Sequence, residues 1–300
     1  MSVATAVDTA PGEALRAAFA APLRVSAIAA ATAGAIGAAD IAAVLDTGST
    51  NTDLLSEARQ CAPAAPRLRA ALKQSAGRGR FGRRWHAAPG AALLFSLAVP
   101  LGEAAAPAAA TLAAGVVLAE TLEAALREPD RSDADRIDLR LKWPNDLLLD
   151  GRKLGGVLAE LAVDRAGRRT LVVGVGINLW LDAAARGSID QPAAALAEMQ
   201  PLPALLAQRE ALLGRLAAAL LQAVREVAAQ GFVPWQPRFM RRFALLGQAV
   251  RIVEHGACVA DGRALGVDGD GRLLVDRGGR VTAFASGEVS VRAGAAGERA

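Results

Sequence analysis

Only three of the chain's 34 basic residues are lysines, Lys73, Lys142 and Lys153, and only three asparagines occur, Asn51, Asn145 and Asn178. In an arginine- and alanine-rich chain these retained amines and amides are candidates for chemistry. An ammonium is a compact point charge and a guanidinium a planar fork, so the two are not interchangeable at a reacting centre. Lys142 and Lys153 bound one short stretch, Lys142-Trp143-Pro144-Asn145-Asp146 running on to Asp150-Gly151-Arg152-Lys153. Asp-Gly between apolar runs predicts a two-residue hairpin loop. That register sets Leu148 opposite Lys153 and Asp146 opposite Gly155, with all four on one face and room for a ligand beside Gly155. A carboxylate diagonal to an ammonium suits phosphoryl or nucleotidyl transfer, one engaging a metal-nucleotide and the other bridging two anions. The same pair also describes an ordinary cross-strand salt bridge.

A second segment, Gln74-Ser75-Ala76-Gly77-Arg78-Gly79-Arg80-Phe81-Gly82-Arg83-Arg84-Trp85, alternates glycine with arginine. Glycines let the backbone approach a ligand, and the arginine forks grip phosphate or carboxylate oxygens in pairs. Residues 67–84 hold seven basic side chains and no acidic one, a local +7 that leaves −3 for the rest of a chain of net charge +4. Such a field concentrates an anion. A small phosphate compound and a nucleic acid both fit it, as does a solvated Gly-Arg loop.

The elements that must position these groups follow from pattern. Ser49-Thr50-Asn51-Thr52-Asp53 reads as the capped start of a helix at a strand-to-helix corner. Residues 93–99 read as a strand, and 141–149, 152–162 and 170–181 as a β-meander. Long helices are expected over 106–126 and 202–229, and short ones over 15–19 and 41–45. Gly174-Val175-Gly176-Ile177-Asn178 lacks the third glycine and following helix of a dinucleotide fingerprint, so it reads as a buried strand whose glycines admit a ligand, with Asn178 as a polar contact. After residue 246, runs at 250–253, 263–267, 273–275, 281–284 and 289–291, broken by glycine turns, describe a small β-barrel. The expected division is an Ala-rich segment 1–40, a catalytic domain 41–245 and a barrel 246–295.

Composition narrows the classes. At 53% hydrophobic content the chain can bury a sizeable core. The longest uncharged apolar stretches, residues 25–39 and 104–119, fall short of the roughly 20 residues of a membrane span. Acidic residues precede the first arginine, the wrong polarity for a secretory signal, so a cytoplasmic protein is expected. Two distant cysteines, Cys61 and Cys258, and two histidines, His86 and His255, support no disulfide framework, zinc site or His-based triad.

Taken in order, Ser49-Thr50-Asn51, the loop from Gly77 to Trp85, Lys142 to Asp146, Lys153-Leu154-Gly155-Gly156-Val157-Leu158-Ala159-Glu160, Gly174 to Asn178 and a final Gly287-Glu288-Val289-Ser290 resemble biotin-protein ligase. The resemblance implies an α+β fold, a mixed, largely antiparallel sheet packed by helices as in class II synthetase-like ligases, followed by an SH3-like barrel. It implies ATP-dependent activation of biotin as biotinyl-5′-AMP, then transfer to a lysine of a biotin carboxyl carrier protein of acetyl-CoA carboxylase or a related carboxylase. By resemblance Lys153, Arg80 and Asp146 are catalytic. Biotin would meet Ser49, Thr50, Asn51, Gln74, Gly77, Arg78, Gly79, Arg80, Lys153, Gly155 and Gly156. ATP would meet Arg78, Arg80, Trp85, Lys142, Asn145, Asp146, Lys153 and Asn178, with Mg2+ at Asp146. Phe81 and Ala92 depart from the family's usual residues. The short, acidic N-terminal segment leaves no room for the winged-helix repressor domain of bifunctional relatives, so no DNA binding is expected; homodimerisation is left open. Lipoate or octanoate ligases, and a nucleic-acid-binding protein using residues 67–84, are the alternatives.

Overall fold

Alternation along the strands decides the architecture. In the computed structural model of the 300-residue chain, residues 9–102, 107–126, 138–187, 189, 191–254, 257–285 and 290–293 are described; Gly287, Glu288, Val289 and His255 lie outside them. The order is α1 (Glu13–Phe19), α2 (Val25–Ala31), β1 (Ile41–Thr47), α3 (Thr50–Gln60), β2 (Arg67–Gln74), β3 (Ala92–Leu101), α4 (Pro107–Leu126), β4 (Leu139–Lys142), β5 (Asp146–Leu149), β6 (Arg152–Val163), β7 (Arg169–Asn178), α5 (Ala183–Gly187), α6 (Leu202–Gln230) and α7 (Gln236–Arg242). Then come β8 (Ala249–Glu254), β9 (Ala257–Val267), β10 (Leu273–Asp276), β11 (Val281–Phe284) and β12 (Ser290–Ala293).

Seven strands form one sheet in the order β1-β2-β3-β7-β6-β5-β4, with β1 and β2 parallel and the other pairs antiparallel. Successive side chains point to opposite faces. Leu97, Val99, Leu171 and Val173 therefore join the large core with α4 and α6, while Ala98, Ala162 and Val172 face Leu54, Leu55 and Ala58 of α3. Burying each such leucine stabilises the fold by roughly 1.5–3 kcal/mol. Phe19 and Ile28, from the Ala-rich N-terminal segment, are fully buried in the large core. The second sheet, five antiparallel strands in the order β11-β10-β9-β8-β12, is the C-terminal unit.

Several expectations are corrected. Residues 41–45 are not a helix: Ile41 to Val44 pair in register with Leu68 to Ala71 at the sheet edge. The run 141–149 is two strands, because Trp143-Pro144-Asn145 turns the chain so that Lys142 pairs with Asp146. Helix α4, at 20 residues, is long and apolar enough to cross a membrane, yet 67% of its most apolar 18-residue window is buried inside the fold.

Candidate active site

The face of the sheet covered by α3 becomes a cavity where its side chains run out. On β7 the α3-facing positions read Val172, Gly174, Gly176 and Asn178, and the partners of the two glycines are Ser96 and Leu94 on β3 and Leu158 and Gly156 on β6. Helix α3 covers Val172; the two glycines beyond it form a floor without side chains. The resulting cavity has a volume of about 530 Å³.

Fourteen of the sixteen residues implicated by sequence line it: Ser49, Thr50, Asn51, Gln74, Arg78, Gly79, Arg80, Trp85, Lys142, Asn145, Asp146, Lys153, Gly156 and Asn178. Gly77 and Gly155 do not. A side chain at Gly77 would meet the Trp85 carbonyl at 2.5 Å, so this glycine serves closure of the arginine loop. Gly155 was expected to make room for a ligand, but a β-bulge at Leu154 shifts the register: Asp146 pairs with Gly156, and Gly155 turns to the other face, where a Cβ would lie 2.6 Å from the Gly176 carbonyl. Gly156 takes the expected place, next to Asp146 Oδ1 and Lys153 Cε.

At one end the lining is neutral and polar. Ser49 caps α3 by accepting from the Thr52 amide at 3.4 Å. The Thr50 amide and hydroxyl donate to Gln74 Oε1 at 2.8 and 3.1 Å, and the Thr50 hydroxyl pairs with Ser96 Oγ at 2.8 Å. Ser96 was not singled out from sequence. Its signal is a lone hydroxyl inside the otherwise apolar run Leu93-Leu94-Phe95-Ser96-Leu97, which a buried strand tolerates only with a partner. Asn51 donates to Glu160 Oε2 at 2.7 Å, and Arg78 donates to both oxygens of the same carboxylate at 3.1 and 3.0 Å.

At the other end the lining is charged. Lys153 Nζ lies 2.7 Å from Asp146 Oδ1 and 5.9 Å from the centre of the Trp85 ring, within cation–π range. Burial lowers the Arg80 pKa to about 10, with Asp146 opposing the shift and Arg83 adding to it, so the guanidinium stays charged at neutral pH. Asn145 is clamped to β6, donating to the Val157 carbonyl at 3.1 Å and accepting from the Val157 amide at 3.0 Å through its own carbonyl. Asn178 donates to the Ala194 carbonyl at 3.0 Å, and the Lys153 backbone bonds Pro192 and Ala194, so Gln191 and Ala193 wall this end. The arginine loop closes on itself through Gly79 N–H to the Arg83 carbonyl at 2.7 Å and Trp85 N–H to the Gly77 carbonyl at 3.0 Å. Phe81 stands at its tip with φ 56°, half-exposed.

A neutral hydrogen-bonding corner joined to a Lys–Arg–Asp end can hold an acid by its far end and a nucleotide by its phosphates. A family model described as Biotin/lipoate A/B protein ligase family matches residues 45–178, and one described as Biotin protein ligase C terminal domain matches residues 245–292. The biotin--[acetyl-CoA-carboxylase] ligase of Mycobacterium tuberculosis is 32% identical over 255 residues, 82% of this chain and 86% of the relative. The chain belongs to the biotin protein ligase family. The bifunctional ligase/repressor BirA of Escherichia coli is 32% identical over 222 residues, 73% of this chain, which spans 64% of that relative's length. Among solved structures, biotin protein ligase from Aquifex aeolicus in complex with biotin and ATP aligns with a TM-score of 0.64 over 85% of this chain and 99% of that one; at 24% identity it supports the ligase fold.

Proposed function

We propose that this biotin ligase family member joins biotin to ATP as biotinyl-5′-AMP and then passes the biotinyl group to a lysine of a cytoplasmic biotin carboxyl carrier protein. The carrying observation is the 2.7 Å Lys153–Asp146 pair in the same cavity as the Thr50–Gln74–Ser96 corner. Hydroxyls and amides suit a neutral ureido ring, so that corner, with Ser49 and Asn51, takes the ring, and the carboxylate points toward Lys153.

A carboxylate and a triphosphate repel, and a cation between them is the first requirement. Lys153 supplies it, held in place by Asp146 and Trp85. The carboxylate oxygen bonds the α-phosphorus as the bond to the β-phosphate breaks and pyrophosphate leaves. Charge spreading onto the phosphoryl oxygens faces Arg80, whose burial strengthens its field. In the second step the carrier amine bonds the acyl carbon, AMP leaves and the amine loses a proton. Lys142, Asn145, Trp85 and Asn178 border the nucleotide's place. Among the described residues no group of three or more His, Cys, Asp or Glu side chains could hold a metal ion. Asp146, a carboxylate of the cavity lining, is the residue that would hold Mg2+, and the ion would neutralise phosphate charge there.

The test is ATP–pyrophosphate exchange with biotin, lipoate or octanoate offered separately. Exchange with biotin is expected. Exchange restricted to lipoate or octanoate would transfer the assignment to the other branch of the family model, against which the C-terminal biotin ligase domain match stands. The nucleic-acid alternative loses support from the +7 segment itself: Arg69, Lys73 and Arg78 are already paired with Asp53 and Glu57, Asp46, and Glu160.

A further inference from the structure

Glu160 makes no contribution to the chemistry above, yet it sits at the junction of three elements. It projects from β6 on the cavity side, opposite Val172. Its Oε2 accepts from Asn51 Nδ2 at 2.7 Å and from Arg78 Nη1 at 3.1 Å, and its Oε1 accepts from Arg78 Nη2 at 3.0 Å. A guanidinium gripping both oxygens of one carboxylate fixes direction as well as distance. An isolated exposed pair would contribute little. This pair is reinforced by Asn51, which is 4% exposed and lies in the first turn of α3, beside Thr50 of the polar corner.

The backbone bonds of the arginine loop close it upon itself, whereas the Arg78–Glu160 pair ties it to the sheet. The same pair directs the Arg78 charge at Glu160 rather than into the cavity. We infer that Glu160 is the latch of the arginine loop, a positioning residue that seats the loop over the cavity and couples its seat, through Asn51, to the acid-binding corner. The latch itself does not depend on which acid is bound; only its kinetic consequence rests on the biotin reading.

The test is limited trypsin digestion of the full-length, ligand-free protein, reading cleavage after Arg80 and Arg83. A loop that opens more often is cut faster in proportion. Glu160→Gln, Glu160→Ala and Arg78→Ala should each speed cleavage by about tenfold, the effect of losing one charge-assisted pair. Because the hold of Arg78 passes through Glu160, Arg78→Ala with Glu160→Gln should be no faster than Glu160→Gln alone. The melting temperature should be unchanged in Glu160→Gln and Arg78→Ala, which decide the matter if Glu160→Ala folds poorly. In pyrophosphate exchange Glu160→Gln should raise KM for biotin about tenfold and change kcat less than about threefold, the signature of lost pre-organisation rather than lost chemistry. Unchanged cleavage in the single variants, or additive effects in the double, would overturn the latch. Faster cleavage in a protein that never exchanges with biotin would leave the latch standing and remove the proposed function.

Discussion

Lys153 and Asp146 meet at 2.7 Å across a bulged hairpin. In an unbulged hairpin Lys153 and Gly155 share a face. With Leu154 unpaired, Lys153 and Gly156 share it instead, and Asp146 stands directly opposite Gly156. The bulge exchanges Gly155 for Gly156 as the residue without a side chain beside the ammonium and the carboxylate, and both charges are largely shielded from water.

Replacing Lys153 by alanine therefore removes the cation between two anions while leaving the apolar packing of the hairpin alone. Adenylate formation should fall by about 10³-fold, as for loss of a pre-organised charge at a developing anion. Lys153→Arg should not restore it, since the guanidinium fork cannot occupy the ammonium's point position beside Asp146. The measurement is a single-turnover burst of adenylate, with thermal melting as the control; a full burst in Lys153→Ala would remove the residue from the mechanism.

A second expectation concerns acid stability. Asp164 is held at about 2, below its ordinary 3.8, first by the Ala62 amide and then by the Arg168 and Ala166 groups, against the opposing effect of burial. A carboxyl whose folded pKa lies below its unfolded one stabilises the protein above the unfolded value and loses that contribution as pH falls through the folded one. Asp164→Asn should thus melt below the parent at pH 7, and the gap should close between pH 4 and 2. A gap that is constant down to pH 2 would show that the charge is not responsible.

These two cases also mark what could be read from the sequence. The Asp150-Gly151 turn, the Ser49 cap, the meander and the C-terminal strands were legible because each depends on residues near one another in the chain. Strand β2 was hidden by its own charges: Arg69 and Lys73 belong to a strand because Asp53, Glu57 and Asp46 neutralise them from α3 and β1. The bulge at Leu154 carries no local signal, since Lys153-Leu154-Gly155-Gly156 fits either register. Glu160 lies inside a recognised motif, but its partners Asn51 and Arg78 are 109 and 82 residues away, and nothing in the sequence announces that they converge.

The turn that presents Lys142 and Asn145 is anchored from the C-terminal unit, at the turn between β9 and β10. Trp143, 1% exposed, donates Nε1–H to the Gly271 carbonyl at 3.0 Å. Trp143→Phe keeps most of the apolar contact and leaves that buried carbonyl unpaired, so it should destabilise by about 1–3 kcal/mol. Urea unfolding measures the loss, and amide exchange should quicken in β10 as well as near Lys142. A loss confined to one of the two would show that the hydrogen bond does not join them.

Two neighbouring glycines should respond differently to the same methyl group, because what each one faces differs. A Cβ at Gly155 would lie 2.6 Å from the Gly176 backbone carbonyl, so Gly155→Ala must spread β6 from β7 in the middle of the sheet. Overpacking of this kind costs about 1–3 kcal/mol, and it should appear as lower melting temperature with substrate affinity per folded molecule nearly intact. A Cβ at Gly176 would lie 2.7 Å from Trp85 Cε2, on the cavity side, and the indole must move aside. That ring lies 5.9 Å from the Lys153 ammonium and closes the arginine loop through its backbone. Gly176→Ala should therefore weaken nucleotide binding by about tenfold, the scale of a lost aromatic contact to a ligand or cation, with the melting temperature little changed. Calorimetric titration with ATP and differential scanning of both variants measure the pair. If both lose stability equally and bind equally, the glycine floor serves strand packing alone and Trp85 is not part of the nucleotide's seat.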